Sequence, residues 1–97
     1  MGEEALYAVN TRERLRDIYL KNIFRLGDYH AAMGKYWDAI KYFKEGLEKH
    51  IFEEPLYRKI MSCYKMLDRH SDVIKTYESC KYALNQGLAQ YTLPNLL

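Results

Sequence analysis

The fold is decided by residues 34–43, which read Gly34-Lys35-Tyr36-Trp37-Asp38-Ala39-Ile40-Lys41-Tyr42-Phe43. When the chain is shifted by 34 residues against itself, three positions of this stretch recur identically, as Asp72, Ile74 and Lys75. The conservative pairs at the same offset are Arg25 with Lys59, Leu26 with Ile60, Met33 with Leu67, Lys35 with Arg69, Ala39 with Val73 and Phe43 with Tyr77. The chain therefore contains an internal repeat with a period of 34 residues.

This period is that of the tetratricopeptide repeat, a helix-turn-helix unit whose neighbours stack to bury a continuous core. We therefore predict an all-α fold, a tetratricopeptide-like antiparallel helical repeat array of about four main helices. The two repeats would span about 20–53 and 54–87. Because a stable array generally needs three or more units, we expect the long first helix and the apolar tail to cap its ends.

The two copies of the repeat differ where helices approach each other. In the first copy, the small side chain of Ala39 allows close approach, and Phe43 fills the space one turn further on. In the second copy, Val73 replaces the alanine, and Met61 stands where the first copy has Gly27. These larger side chains predict looser packing in the second repeat.

Helix boundaries follow from apolar spacing and from local start and stop signals. Asn10 and Glu13 have the form of a capping box at the start of the first helix. Pro94 excludes helical structure around it. The helices are predicted over about 10–33, 36–50, 54–67 and 71–87.

The predicted core stripe of the first helix is Leu15, Ile18, Tyr19, Ile23, Leu26, His30 and Met33. The predicted segments are a leader with the start of the first helix over 1–11, a helical domain over 12–88 and an irregular C-terminal tail over 89–97.

The composition describes one small soluble domain. The chain has 97 residues, of which 48% are hydrophobic and 29% charged, with a formal net charge of +2. No apolar run approaches the roughly 18 to 20 residues that a membrane span needs. The start, Met1-Gly2-Glu3-Glu4, is acidic where a targeting signal would be basic. Two cysteines without close spacing favour a reducing compartment, and we expect a cytoplasmic protein.

The order of these features resembles one helical module, the bacterial transcriptional activator domain. The resemblance covers about residues 12 to 97. It rests on the charged entry 12–17, the turn and helix 34–40, the acidic-proline-leucine turn within 50–58, the pair Tyr77-Glu78 and the tail 88–96. The sequence departs from the family pattern at Ile51 and Thr92, where proline is usual, at Pro55, where glutamate is usual, and at Ala89, where glycine is usual.

The resemblance implies a regulatory role. The family follows a winged-helix DNA-binding domain in antibiotic regulatory proteins and in some two-component response regulators. It implies a protein-interaction and self-association module, coupled to a DNA-binding domain outside this chain. The expected partners are a second copy, a neighbouring regulator domain or the transcription machinery. The alternative is a free-standing tetratricopeptide adaptor that binds a short peptide.

An enzyme is not expected from the residue pattern. His30 lies on an apolar stripe, whereas His50 and His70 fall at a helix end and a turn. The sequence contains no metal-binding H-E-x-x-H motif, no glycine-rich phosphate loop and no spacing typical of a nucleophile with its base. Cys63 and Cys80 are expected to be small buried residues. We therefore predict no catalytic residues, no metal site and no cofactor, with a small enzyme or ligand sensor as a third hypothesis.

The net charge is concentrated in one segment. Basic and acidic residues balance everywhere except in 54–70, where four basic residues face two acidic ones. This excess is small for a protein that binds DNA through phosphate contacts, so DNA contact is expected only through a domain outside this chain.

The same basic residues define a candidate binding groove. The first helix of each stacked repeat lines the concave side, which would bring two sets of side chains together. The candidate partner-binding residues are Lys21, Phe24, Arg25, Arg58, Lys59 and Lys65. The groove would be mildly basic, with Phe24 as an apolar contact; plain exposed helix faces are the alternative interpretation. The tyrosines expected in the core are Tyr19, Tyr36, Tyr57, Tyr64 and Tyr77, and the tyrosines that are candidates for an interface are Tyr7, Tyr29, Tyr42 and Tyr91.

Overall fold

Four helices follow one another along the chain: α1 (Gly2–Ala32), α2 (Tyr36–Lys49), α3 (Glu54–Met66) and α4 (His70–Leu96). This computed structural model describes the backbone of residues 2–96 and the side chains of residues 10–87. Each helix packs mainly against the next one in the sequence. The described backbone contains no strand. The predicted all-α, tetratricopeptide-like array is confirmed.

The 34-residue repeat is visible in the hydrogen bonds of the turns. The Lys35 amide donates to the His30 carbonyl at 2.8 Å, and 34 residues later the Arg69 amide donates to the Tyr64 carbonyl at 2.9 Å. Such bonds satisfy the last carbonyls of a helix and require a left-handed residue next to them. That residue is Gly34 in the first repeat, with a φ of 78°, and the equivalent Asp68 in the second, with a φ of 57°.

The main core lies between α1, α2 and α3. Its buried members are Leu20, Ile23, Ala39, Ile40, Phe43, Leu56, Ile60, Cys63 and Tyr64. A smaller cluster of Tyr57, Cys80 and Ala83 joins α3 to α4. Phe43 lies so close to α1 that a Cβ atom at Gly27 would overlap its ring. A glycine is therefore needed where α1 crosses α2.

The prediction for the start of the first helix was wrong. α1 begins at Gly2, so Asn10 lies inside the helix instead of capping it. Residues 3–9 contain glutamate, alanine and leucine, which favour helices, and no proline or glycine interrupts them. The predicted core stripe was also wrong in part. Ile23 is buried, but Leu15, Ile18, Leu26 and Met33 are exposed, because α1 turns Leu20 and Ile23 toward α2.

The predicted irregular tail over 89–97 was also wrong. α4 continues to Leu96, and residue 97 lies outside the described part of the chain. Extending an existing helix needs no new nucleus, and Leu88, Ala89 and Gln90 are good helix formers. Pro94 removes only one backbone hydrogen bond, close to the last turn.

Candidate interaction surfaces

The groove predicted between the first helices of the two repeats lies between α1 and α3. Lys59 Nζ lies 2.9 Å from Asp28 Oδ1, and both side chains are about half exposed. This ion pair joins two helices that make few other contacts. The structure thus places Lys59 of the predicted set beside α1.

A cleft of 200 Å³ lies beside this ion pair. It is lined by Asp28, Ala31, Tyr36, Phe43, Lys59, Ser62, Cys63 and Met66. Burial raises the pKa of the Cys63 thiol, and the Asp28 carboxylate raises it further, whereas Lys59 lowers it. The cleft is smaller than the roughly 300 Å³ at which pockets for small-molecule ligands begin.

The groove is less basic than the sequence predicted. Arg58 Nε lies 3.0 Å from Glu54 Oε1 within α3, and Lys59 is paired with Asp28. Arg69 contributes to the same basic segment, and its Nε atom lies 2.7 Å from Asp72 Oδ2. Asp28 and Asp72 come from other helices, so a count along one segment of sequence could not include them.

The other predicted groove residues differ in their surroundings. Lys21 and Arg25 are exposed on α1, and Lys65 is exposed on α3, with no ion pair to any described residue. Phe24 is half-buried, and its ring centroid lies 6.3 Å from that of Phe43. It therefore belongs to the edge of the core and is available to a partner only in part.

A larger cleft, of 480 Å³, lies on the α2 side of the array and was not predicted from the sequence. Its lining is Trp37, Ile40, Lys41, Lys44, Glu45, Glu48 and Tyr64. The Trp37 and Tyr64 rings pack edge to face, with 6.0 Å between their centroids, and Lys44 Nζ lies 5.6 Å from the centroid of the Tyr64 ring. Trp37 is 54% exposed. The sequence signal that could have indicated this cleft is Trp37, the single tryptophan of the chain, which closely follows the turn at Gly34.

Large apolar side chains are exposed at both ends of the array. On α1 they are Leu15, Ile18, Leu26, Tyr29 and Met33, and on α4 they are Ile74, Tyr77 and Tyr82. Of the tyrosines predicted at an interface, Tyr29 is exposed and Tyr42 is half-buried, whereas the side chains of Tyr7 and Tyr91 lie outside the described residues. The prediction that Tyr77 belongs to the core was wrong. Phe43 sits over Gly27, whereas the second repeat has the larger Met61 at the position equivalent to Gly27, and Tyr77 remains 55% exposed.

A stacked pair of repeats with apolar ends is consistent with several families, and comparison with known families decides among them. A family model of the bacterial transcriptional activator domain matches residues 2–96, nearly the whole chain. This chain belongs to that family. Bacterial transcriptional activator domains are transcription-regulator domains, not enzymes. Searches of curated proteins and of solved structures found no match.

Within its described residues, this bacterial transcriptional activator domain shows no group of three or more His, Cys, Asp or Glu side chains that could hold a metal ion. His30 Nδ1 donates to the Leu26 carbonyl of its own helix at 2.8 Å. Cys63 and Cys80 are buried free thiols, and burial raises the pKa of both. Over the part of the chain that the structure describes, no helix is long and apolar enough to span a membrane.

Proposed function

We propose that this domain is the protein-interaction and self-association module of a bacterial transcriptional regulator, and that it acts in the cytoplasm. It would couple to a DNA-binding domain outside these residues and set the spacing or availability of that domain. The observation that carries the proposal is the exposed apolar stripe of α1. Exposed apolar side chains that lie together on one face are typical of protein contact sites.

The α1 stripe supports a contact with protein because its members share one side of the helix. Leu26, Tyr29 and Met33 follow one another at steps of three and four and are 43%, 60% and 55% exposed. The adjoining Lys21 and Arg25 are exposed and keep this surface soluble. A tyrosine in such a place can bury its ring while its hydroxyl stays in water.

The test is promoter activation by the intact regulator that carries this domain. Tyr29→Glu places a charge in the middle of the stripe and is expected to lower activation by roughly tenfold, because an unpaired buried carboxylate is costly. Binding of a single DNA site, measured by gel shift, is expected to be unchanged. The readout does not depend on whether the occupant of the stripe is a second copy or another domain.

Ile51→Glu is the matched control, because Ile51 is 53% exposed in the connection between α2 and α3, away from the stripe. It is expected to activate like the wild type. The proposal would be wrong if Tyr29→Glu, Ile51→Glu and a regulator lacking residues 12–88 all activated equally.

A second candidate function is the binding of a short acidic peptide in the groove between α1 and α3. The Asp28–Lys59 ion pair favours it, since it holds the two groove helices side by side and a competing carboxylate could replace Asp28. We expect joint charge reversal of Arg58, Lys59 and Lys65 to weaken the capture of a glutamate-rich peptide without loss of helical content. Lys41→Glu, on the opposite side of α2, is the control. Unchanged peptide capture by the triple variant would contradict this function.

A further inference from the structure

The exposed stripe of α1 has a buried counterpart within the same chain. By the 34-residue offset, Leu26, Tyr29 and Met33 correspond to Ile60, Cys63 and Leu67. Ile60 and Cys63 are 1% and 4% exposed, and Leu67 packs on the same core. With these residues α3 packs onto the preceding helical pair. We call Leu26, Tyr29 and Met33 the leading face; no described residue covers it.

The opposite end of the array has a matching surface. Ile74 and Tyr77 of α4 correspond to Ile40 and Phe43 of α2. Ile40 and Phe43 are 3% and 1% exposed. Ile40 lines a cleft with Tyr64 of α3, and Phe43 packs on Gly27 of α1 and lines a cleft with Cys63 of α3. Ile74 and Tyr77, which we call the trailing face, are 62% and 55% exposed. One end of the array therefore exposes residues equivalent to the α3 side of the internal α2–α3 interface. The other end exposes residues equivalent to its α2 side.

We propose that two copies of this chain associate head to tail, with the trailing face of one copy docked on the leading face of the next. The contact would continue the packing of α3 on α2 across the boundary between molecules. This proposal rests on the proposed function, because it specifies the surfaces and the geometry of self-association.

The charges near the two faces favour this arrangement. Inside the chain, Lys44 Nζ lies 5.6 Å from the Tyr64 ring at the α2–α3 contact. The equivalent residues at the ends of the array are Glu78 on α4 and His30 on α1. A head-to-tail contact would therefore bring the Glu78 carboxylate toward the His30 imidazole.

The same charges disfavour a symmetric contact between two leading faces. Lys21 and Arg25 flank the leading face on one side. In an antiparallel two-fold pair of α1 helices, this flank of one copy lies along the same flank of the other, so the basic residues of both copies would share one edge of the contact. Like charges in that position oppose association.

A head-to-tail contact has a distinct assembly behaviour. It joins two different surfaces, so each added copy leaves one leading and one trailing face free. The oligomer is then open, and its mean size rises with protein concentration. A symmetric contact would instead stop at a dimer.

The test is sedimentation velocity on the chain and on two variants. Tyr29→Glu blocks the leading face, and Ile74→Glu blocks the trailing face. The wild type is expected to exceed the mass of a dimer as its concentration rises. Each variant alone is expected to associate with a dissociation constant roughly tenfold weaker or more. An equimolar mixture is expected to recover association as a heterodimer and to stop there, because one intact face of each kind remains.

Ile51→Glu is the control and is expected to assemble like the wild type, with far-UV circular dichroism confirming the fold of every variant. The proposal is overturned by a wild type that stays monomeric up to millimolar concentration. It is also overturned by a mixture that stays monomeric while the wild type forms a closed dimer. Either result leaves the protein-interaction part of the proposed function standing, because promoter activation by the intact regulator decides that part separately.

Discussion

Gly27 and Phe43 hold α1 and α2 together through direct contact between backbone and ring. Any Cβ atom at Gly27 would overlap the Phe43 ring, and Phe43 is only 1% exposed. We expect Gly27→Ala to lower the free energy of unfolding by up to about 2 kcal/mol. Overpacking a core costs about 1 to 3 kcal/mol, from which the better helix propensity of alanine subtracts about 1 kcal/mol. Urea denaturation monitored by circular dichroism measures this change in the free energy of unfolding.

A double-mutant cycle tests whether the Phe43 ring is the cause. In a Phe43→Leu background the smaller side chain leaves room for a methyl group, so the same Gly27→Ala change is expected to be neutral or slightly stabilising. Equal losses in both backgrounds would contradict the proposed overlap.

Gly34 and Asp68 occupy the same left-handed turn position in the two repeats. Their φ angles are 78° and 57°, and only glycine adopts this region without steric cost. We expect Asp68→Gly to stabilise the protein by about 0.5 kcal/mol and Gly34→Asp to destabilise it by about 1 kcal/mol. Thermal unfolding of the two variants measures the signs. Changes of the same sign would show that the turn backbone does not control stability at these positions.

The buried thiols give the protein an alkaline pH dependence. Burial raises the pKa of Cys63 and Cys80 above the ordinary value of 9.0, so the folded state holds these protons more tightly than the unfolded state. The stabilisation that the protonated thiols give the folded state is complete below pH 9. It is lost as the pH rises through the pKa values of the two thiols in the folded state. We expect a free energy of unfolding that falls above pH 9. The decline should be shallower in the variant Cys63→Ala/Cys80→Ala; an equally steep decline there would assign it to other groups.

At the scale of single helices, α1 divides into two parts. The side chains from Asn10 to Ile18 are all exposed, whereas Leu20 and Ile23 are buried against α2. Most helical stability in proteins comes from packing of an apolar face, and the first part buries none of its described side chains. We expect amide hydrogens of residues 12–18 to exchange much faster than those of residues 23–31. Equal protection along α1 would mean that another surface covers its first part.

The bounds of α2 and α3 could be predicted, whereas the outer ends of α1 and α4 could not. α2 begins after the left-handed Gly34, and α3 begins with Pro55 in its first turn, so local signals fix both. At the ends of the chain helix-forming residues continue without a strong stop, and Pro94 was too close to the last turn to prevent a helix. Stop signals predict a boundary only when they outweigh the favourable extension of an existing helix.

Only the position of the candidate groove could be predicted from the sequence, and not its charge or the exposed apolar residues. The repeat period predicts that α1 and α3 line one groove, and Lys59 of α3 lies beside α1 through its ion pair with Asp28. The charge of the groove was not predictable, since ion partners such as Asp28 and Asp72 belong to other helices. The exposure of Leu26 and Tyr77 was not predictable either. Their apolar character fits a buried position, but burial also requires a neighbouring helix, and no described helix covers these two side chains.

For the molecule as a whole, stability depends on how strongly the two repeats are coupled. In stacked repeats, stability is approximately the sum of the units and of the interfaces between them. The interface between the repeats is formed by α2 and α3, where Leu56 is 0% exposed and lies beside Gly46. Trp37 lies in α2 and contacts Tyr64 of α3, so its fluorescence reports on this same interface.

Leu56→Ala is therefore expected to uncouple the repeats as well as destabilise them. The loss should be about 2 to 5 kcal/mol, because a cavity would remain between α2 and α3. In the wild type we expect urea transitions followed by Trp37 fluorescence and by circular dichroism to coincide; in the variant, the fluorescence transition should come first. Leu15→Ala, at a position 60% exposed, is the control and should change stability by less than about 0.5 kcal/mol. Transitions that still coincide in Leu56→Ala would mean that the α2–α3 contact does not couple the repeats, and coupling would then have to run through direct contacts such as the Asp28–Lys59 ion pair.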